Sequence, residues 1–304
     1  MKRVVMTGGT SGIGLEALRV MLDRGVKMPI VGARDARRLP ADLKGKVQCL
    51  PLDLNSLASV RTFCASLEGQ PIDALVLNAG VQIPGEAKSV DGFERTFAVN
   101  HLAHFLMIRL LLPKLNQGAR ICITSSGTHD PDAKTPMPAP HHGDAGMLAY
   151  PKNDPQRDAK SGTAGRRAYS SSKLCNVMTA RELAVRTAGS RPDLSIMAID
   201  PGFVPGTGLT RDYPAIVNWV FRNIITLFAR GEGTSRPKIS GSLIGDLVLD
   251  ETHSRARGEY WSVRSHALKL VDPSSIARDP VACAKLWDDS TTMVGFKDDE
   301  PMRR

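Results

Sequence analysis

Residues 3–14, RVVMTGGTSGIG, join two kinds of sequence across one glycine-rich turn. RVVMT is a short run rich in β-formers, whereas the residues after the turn carry Leu15, Leu18, Met21 and Leu22 at helical spacing and stop near Gly25. A strand feeding a helix through such a turn lets backbone come close to phosphate oxygens. The helix N-terminus adds unpaired N–H groups and a partial positive charge. The stretch therefore predicts a pyrophosphate cradle for a dinucleotide, with Gly8, Thr10, Ser11, Gly12, Ile13 and Gly14 as its residues. Its spacing is GxxxGxG, which departs from the GxGxxG fingerprint.

The same strand–helix alternation repeats downstream. A second strand over 28–33 runs into Gly32-Ala33-Arg34-Asp35, about 20 residues past the turn, where an acid suits a ribose 2′-hydroxyl and a base a 2′-phosphate. Arg34 favours NADP(H), Asp35 keeps NAD open, and Arg37 and Arg38 read as surface residues. A strand over 47–52 ends in Asp53-Leu54 and is followed by a helix over 56–67. The apolar run 72–77 ends in Asn78-Ala79-Gly80. The helix over 93–112 buries one polar residue, Asn100, which must be either a clamp or a relay. Strands over 120–124 and 194–199 end in Ser125-Ser126 and Asp200-Pro201-Gly202. A helix over 241–249, a strand over 258–263 and one more helix within 273–296 complete the reading. This pattern predicts an α/β fold: a doubly wound, Rossmann-type parallel sheet with helices on both faces, ligands lying at the C-terminal strand ends. One domain spans residues 1–304, with a helical substrate cap from 127–165 and 205–230 and an extension over 265–304.

Tyr169 and Lys173 stand four residues apart in RRAYSSSKLCNVMTARELAVR, a helical segment, so both project from one face. A phenol ordinarily titrates near ~10, and an adjacent ammonium is expected to bring it towards neutrality.

Composition is that of a globular chain, with 42% hydrophobic and 23% charged residues, and the net charge of +9 is spread without a basic run. Nucleic acid is therefore not an expected partner. Five scattered cysteines lack a CxxC pair and sit among apolar neighbours, as in a reducing compartment. A start without a signal-like run and the lack of a long charge-free apolar stretch predict a cytoplasmic protein without a membrane span, monomeric or homo-oligomeric.

Taken in order, TGGTSGIG, DL, NAG, the helical Asn, SS, YSSSK and DPG make the chain resemble the short-chain dehydrogenase/reductase family. The resemblance implies a site of Ser126, Tyr169 and Lys173, assisted by Asn100 through a bound water. It also implies that Lys173 and Tyr169 border the nicotinamide ribose, and that Pro201, Gly202 and Val204 lie over the nicotinamide, with Thr207 near its carboxamide or the pyrophosphate. FAVNHLAHFL, SKLCN, PGxVxxTGL and EYWS are similar to the retinol-dehydrogenase and protochlorophyllide-reductase branches. Phe203 stands where the latter carry a cysteine implicated in their substrate chemistry. The expected reaction is NADPH-dependent reduction of a carbonyl on a fairly large apolar substrate. Protochlorophyllide-type reduction of a C=C bond, a non-catalytic NADP-binding regulator and a membrane-associated lipid enzyme are the alternatives.

Two segments fit no simple strand or helix of the sheet. Residues 127–165 are rich in Pro, Gly, His and Asp and read as a partly mobile flap; His129, His141, His142 and Asp144 there lack the regular scaffold of a metal site. Residues 214–229, PAIVNWVFRNIITLFA, are the most apolar amphipathic segment: a core helix, a substrate lid, or a peripheral membrane or partner contact.

Overall fold

The computed structural model describes residues 2–67, 69, 71–205 and 233–296. Eight strands form one sheet in the order β3-β2-β1-β4-β5-β6-β7-β8. They are β1 Val4–Thr7, β2 Ile30–Ala33, β3 Gln48–Pro51, β4 Ile72–Leu77, β5 Leu115–Thr124, β6 Ser195–Asp200, β7 Arg257–Arg264 and β8 Ala267–Leu270. All neighbours are parallel except β7 and β8. The order reverses between β1 and β4, which opens a crevice at their carboxyl ends.

The residue alternation along each strand divides the core between two faces. Val5, Leu75, Leu77, Ile121, Ile123, Ile196 and Ala198 face one way and pack with helices α2 (Leu57–Ala65), α4 (Ala103–Leu111), α6 (Ser161–Arg186) and α9 (Pro280–Met293). Val4, Met6, Val76, Cys122, Met197 and Ile199 face the other, against α1 (Gly12–Asp23) and α7 (Pro237–Leu249). Period two on strands buried on both sides is what makes them continuously apolar.

Several elements differ from the reading of the sequence. The 93–112 helix is broken into α3 (Arg95–Phe97), a π-turn over Ala98–Leu102, and α4. The 273–296 stretch holds two helices, α8 (Ser275–Arg278) and α9, separated by Asp279, which accepts from the Val281 and Ala282 amides at 2.8 and 3.2 Å. β8 escaped notice because its hairpin has no glycine: Ser265 and His266 adopt φ of 49° and 63° themselves.

The 127–165 segment is built rather than loose. It contains α5 (Ala145–Ala149), capped by Asp144, whose side chain accepts from the Met147 amide at 3.0 Å. Asp144 also pairs with Lys285 of α9 at 3.0 Å, and Arg167 with Asp158 at 2.7 Å. The helix bearing Tyr169 begins within it, at Ser161. The apolar segment over 214–229, most of the 205–230 cap and Thr207 lie outside the described residues. Helix Arg95–Lys114 is long and apolar enough by composition to cross a membrane, yet 83% of its apolar window is buried inside this fold.

Candidate active site

At the end of β1 the backbone turns at Gly8, φ 72°, a conformation few side chains tolerate. Gly14 begins the helical packing: a Cβ there would meet the Gly8 carbonyl oxygen at 2.2 Å. Ser11 precedes α1 in extended conformation and makes no side-chain cap, so its hydroxyl leaves the first amides open. The first turn holds no acid that would repel an anion.

Two cavities meet at this turn. The smaller, about 430 Å³, is lined by Arg34, Asp35, Arg38, Asp53, Leu54 and Asn55 among others. The larger, about 1510 Å³, runs from Gly12–Gly14 past Asn78 and Ser126 to Tyr169, Lys173, Asp200, Pro201, Gly202 and Val204. Gly8, Thr10, Ala79 and Gly80 line both. All the proposed cofactor residues that are described are thus brought together.

The smaller cavity fits a charged, polar guest. Asn55 Oδ1 and Arg95 Nε, from two of its lining residues, are buried with no hydrogen-bond partner among the described residues. Arg34 is exposed and makes no ion pair among them. Asp35, the rival for a ribose hydroxyl, is already engaged: it accepts from Arg37 N at 3.0 Å and Nε at 2.9 Å. Asp53 holds the Asn55 amide at 3.0 Å, setting the turn after β3.

At the other end, Tyr169 is buried and lines the same cavity as Ser126, whose hydroxyl acts on its phenol. Ser126 Oγ also accepts from the Thr128 amide at 3.3 Å. Ser125 donates to the Lys173 carbonyl at 2.8 Å, tying the end of β5 to α6. Lys173 Nζ donates to the Thr124 carbonyl at 3.0 Å and lies 5.6 Å from the Tyr169 ring centroid.

The electrostatics correct one expectation. Burial drives the Tyr169 phenol well above its ordinary value, opposed by the Ser126 hydroxyl and reinforced by the Asp200 charge. The ammonium is instead spent on the Thr124 carbonyl. Burial pushes Lys173 itself down to about 8, with the Asp200 charge opposing.

Asn100 is a clamp. Its Oδ1 accepts from the Val81 amide at 2.8 Å, and its Nδ2 donates to the Val81 carbonyl at 2.9 Å and Ser172 Oγ at 3.0 Å. His104 completes the clamp. Thr7 Oγ1 accepts from the Asn78 and Ala79 amides, both at 3.1 Å, so its own proton goes to His104 Nε2 at 3.0 Å. Nδ1–H then donates to the Asn100 carbonyl at 3.1 Å. Burial, which pushes His104 down to about 3, keeps this imidazole neutral. The oxygen and the nitrogen of the Asn100 side chain are thus both bonded to protein.

Sequence reasoning missed several residues here. His129 is buried, accepts from the Ser274 amide at Nε2 (3.2 Å), and therefore donates from Nδ1 to the Ser126 carbonyl at 2.9 Å. Its neighbour in the loop, His142, holds Asp154 at 3.0 Å. Asp200 and Ser262 also line the larger cavity. The carboxylate in the DPG turn was a visible signal for the first of these; His129 was weighed only as a metal ligand, and nothing local marked its hold on Ser126.

Comparison with known proteins agrees with this geometry. The profile of the family described as short chain dehydrogenase matches residues 2–137. Over 315 residues the chain is 30% identical to protochlorophyllide reductase A, chloroplastic, of Oryza sativa subsp. japonica, covering 96% of this chain and 80% of that one. An uncharacterised protein of Mycobacterium paratuberculosis superposes with a TM-score of 0.72 at 25% identity, over 98% of this chain and 94% of the other. RhlG of Pseudomonas aeruginosa, solved as an NADP active-site complex, shares the fold with a TM-score of 0.63 at 23% identity, over 87% and 96%. The chain belongs to the short-chain dehydrogenase/reductase family and is an oxidoreductase.

Proposed function

We propose that the protein binds NADP(H) and reduces a carbonyl on a fairly large, apolar substrate. The observation that carries the reading is that Ser126, Tyr169 and Lys173 line one cavity, which shares Gly8, Thr10, Ala79 and Gly80 with the Arg34 pocket. Arg34 would hold the 2′-phosphate, with Asp53, Leu54 and Asn55 around the adenosine. The turn over Gly8–Gly14 would hold the pyrophosphate through backbone amides. When bound, the nicotinamide supplies the hydride.

The chain supplies position and a proton. Ser126, held by the Thr128 amide, donates to the carbonyl oxygen as negative charge develops there. Tyr169, kept protonated by burial, is a general acid aimed at the same oxygen. Lys173, with a value of about 8, exchanges protons near neutrality and renews the phenol. Tyr169→Phe should lower kcat by about 10²–10⁴ while NADPH affinity stays within twofold. NADPH oxidation in the dark with aromatic ketones, retinoids and quinones tests the substrate class, and a variant within a few-fold of wild type would overturn the assignment of Tyr169.

A second reading, reduction of a C=C bond, is favoured by the identity of 30% to a protochlorophyllide reductase over 96% of this chain. Phe203, 45% exposed and lining the cavity, offers no sulfur proton from its position. Turnover of protochlorophyllide only under illumination would establish this second reading; dark turnover of a ketone supports the first.

A further inference from the structure

Asp200 closes the carboxyl end of β6 and is 9% exposed. Its Oδ1 accepts from the Gly202 amide at 2.9 Å and its Oδ2 from Ser262 Oγ at 3.0 Å. It reaches beneath the catalytic loop: a Cβ on Gly127, next to Ser126, would lie 3.1 Å from Oδ2. Among the described residues it forms no ion pair. A carboxylate buried with two neutral donors keeps a large part of its charge uncompensated, and its field is felt nearby. The negative charge acts on Tyr169, Lys173, His129 and Tyr260.

The layout of the cavities says what that field meets. With the 2′-phosphate at Arg34 and the pyrophosphate at the shared turn, the larger cavity would take the nicotinamide half, and Asp200 lines it with Tyr169 and Lys173. The reduced ring is neutral and the oxidised ring is cationic. In carbonyl reduction one hydrogen and two electrons leave the ring as hydride for the substrate carbon, the C=O π pair moves to oxygen, and that oxygen takes the Tyr169 proton. The ring is the partner on which positive charge grows.

We propose that the Asp200 carboxylate selects the oxidised, cationic nicotinamide over the reduced one, and so favours release of hydride to the substrate. The inference rests on the cofactor reading above. Two neutral donors fix the carboxylate in place, and its charge is the part not needed for that anchoring: an asparagine can accept from Gly202 and donate to Ser262 equally well.

Equilibrium binding of NADP⁺ and NADPH tests it without any substrate. Both forms carry the same phosphates, so the ratio of their Kd values cancels the contributions of Arg34 and the turn. Wild type should bind NADP⁺ more tightly than NADPH. Asp200→Asn should weaken NADP⁺ about tenfold and leave NADPH within about twofold. Ser262→Ala, which keeps the charge and removes one donor, should leave the ratio unchanged. Equal effects of Asp200→Asn on both forms overturn the proposal and leave the cofactor reading intact. NADP⁺ binding no tighter than NADPH in wild type overturns it as well, even if the Asn variant does not fold. Failure of wild type to bind either nucleotide overturns both.

Discussion

Single side chains here are tuned mainly by burial. Lys173 has a folded value of about 8, below the 10.5 of an unfolded lysine. Between those values the unfolded chain binds more protons, so this group makes stability rise with pH across that window and costs stability below it. Lys173→Met removes the effect. The stability of wild type relative to that variant, measured by urea titration, should increase by up to about 3 kcal/mol between pH ~8 and ~10.5. Arg34 is the test of cofactor choice. A charge-assisted contact to a 2′-phosphate contributes about 1.5–3 kcal/mol, so Arg34→Ala should lower the NADPH-over-NADH preference by about 10–150-fold. An unchanged preference in isothermal titration would transfer the role to Arg38, which lines the same pocket.

At the scale of elements, the π-turn over Ala98–Leu102 carries the most consequence. It turns Asn100 towards Val81, joining the helix to the loop after β4. Asn100→Ala leaves the Val81 amide and carbonyl without these partners. At about 1–3 kcal/mol for each buried group left unsatisfied, the urea midpoint should fall clearly. Gly80 lies between the clamp and the lysine: a Cβ there would stand 3.5 Å from Asn100 Oδ1 and 3.4 Å from Lys173 Nζ. The turn after β5 is held from farther away, through His129 and Ser274. His129→Phe keeps an aromatic ring against Tyr260, 4.7 Å away in the native pair, but loses both hydrogen bonds. It should lower kcat more than it changes NADPH affinity, because Ser126 is held through it. Equal losses in both would mean a general disturbance.

For the whole molecule, strand order gathers residues far apart in the chain at one crevice. β1, β4, β5 and β6 lie side by side, so the ends that carry Gly8, Asn78, Ser126 and Asp200 line one cavity. A ligand spanning both cavities ties the two sides of the reversal together. NADPH at 100 times its Kd should add about 2.7 kcal/mol to stability, read as a rise in Tm that NADH does not match at equal concentration.

The local pattern was enough for the glycine turn, the alternating strands and helices, and the Tyr169–Lys173 pair, because each depends on short-range backbone geometry and on periods of two and 3.6 residues. The placement of Asn100 in a buried polar position was also legible, though only as a choice between clamp and relay. The clamp itself needed the loop after β4, which supplies Val81. The direction of the Tyr169 shift was misread from spacing, since four residues put Lys173 on the same face but say nothing of the burial that drives the phenol up. Likewise His129 and Ser274, 145 positions apart, meet only once the sheet has closed. Burial and long-range hydrogen bonds are properties of the packed chain, and they set the charges on which this site works.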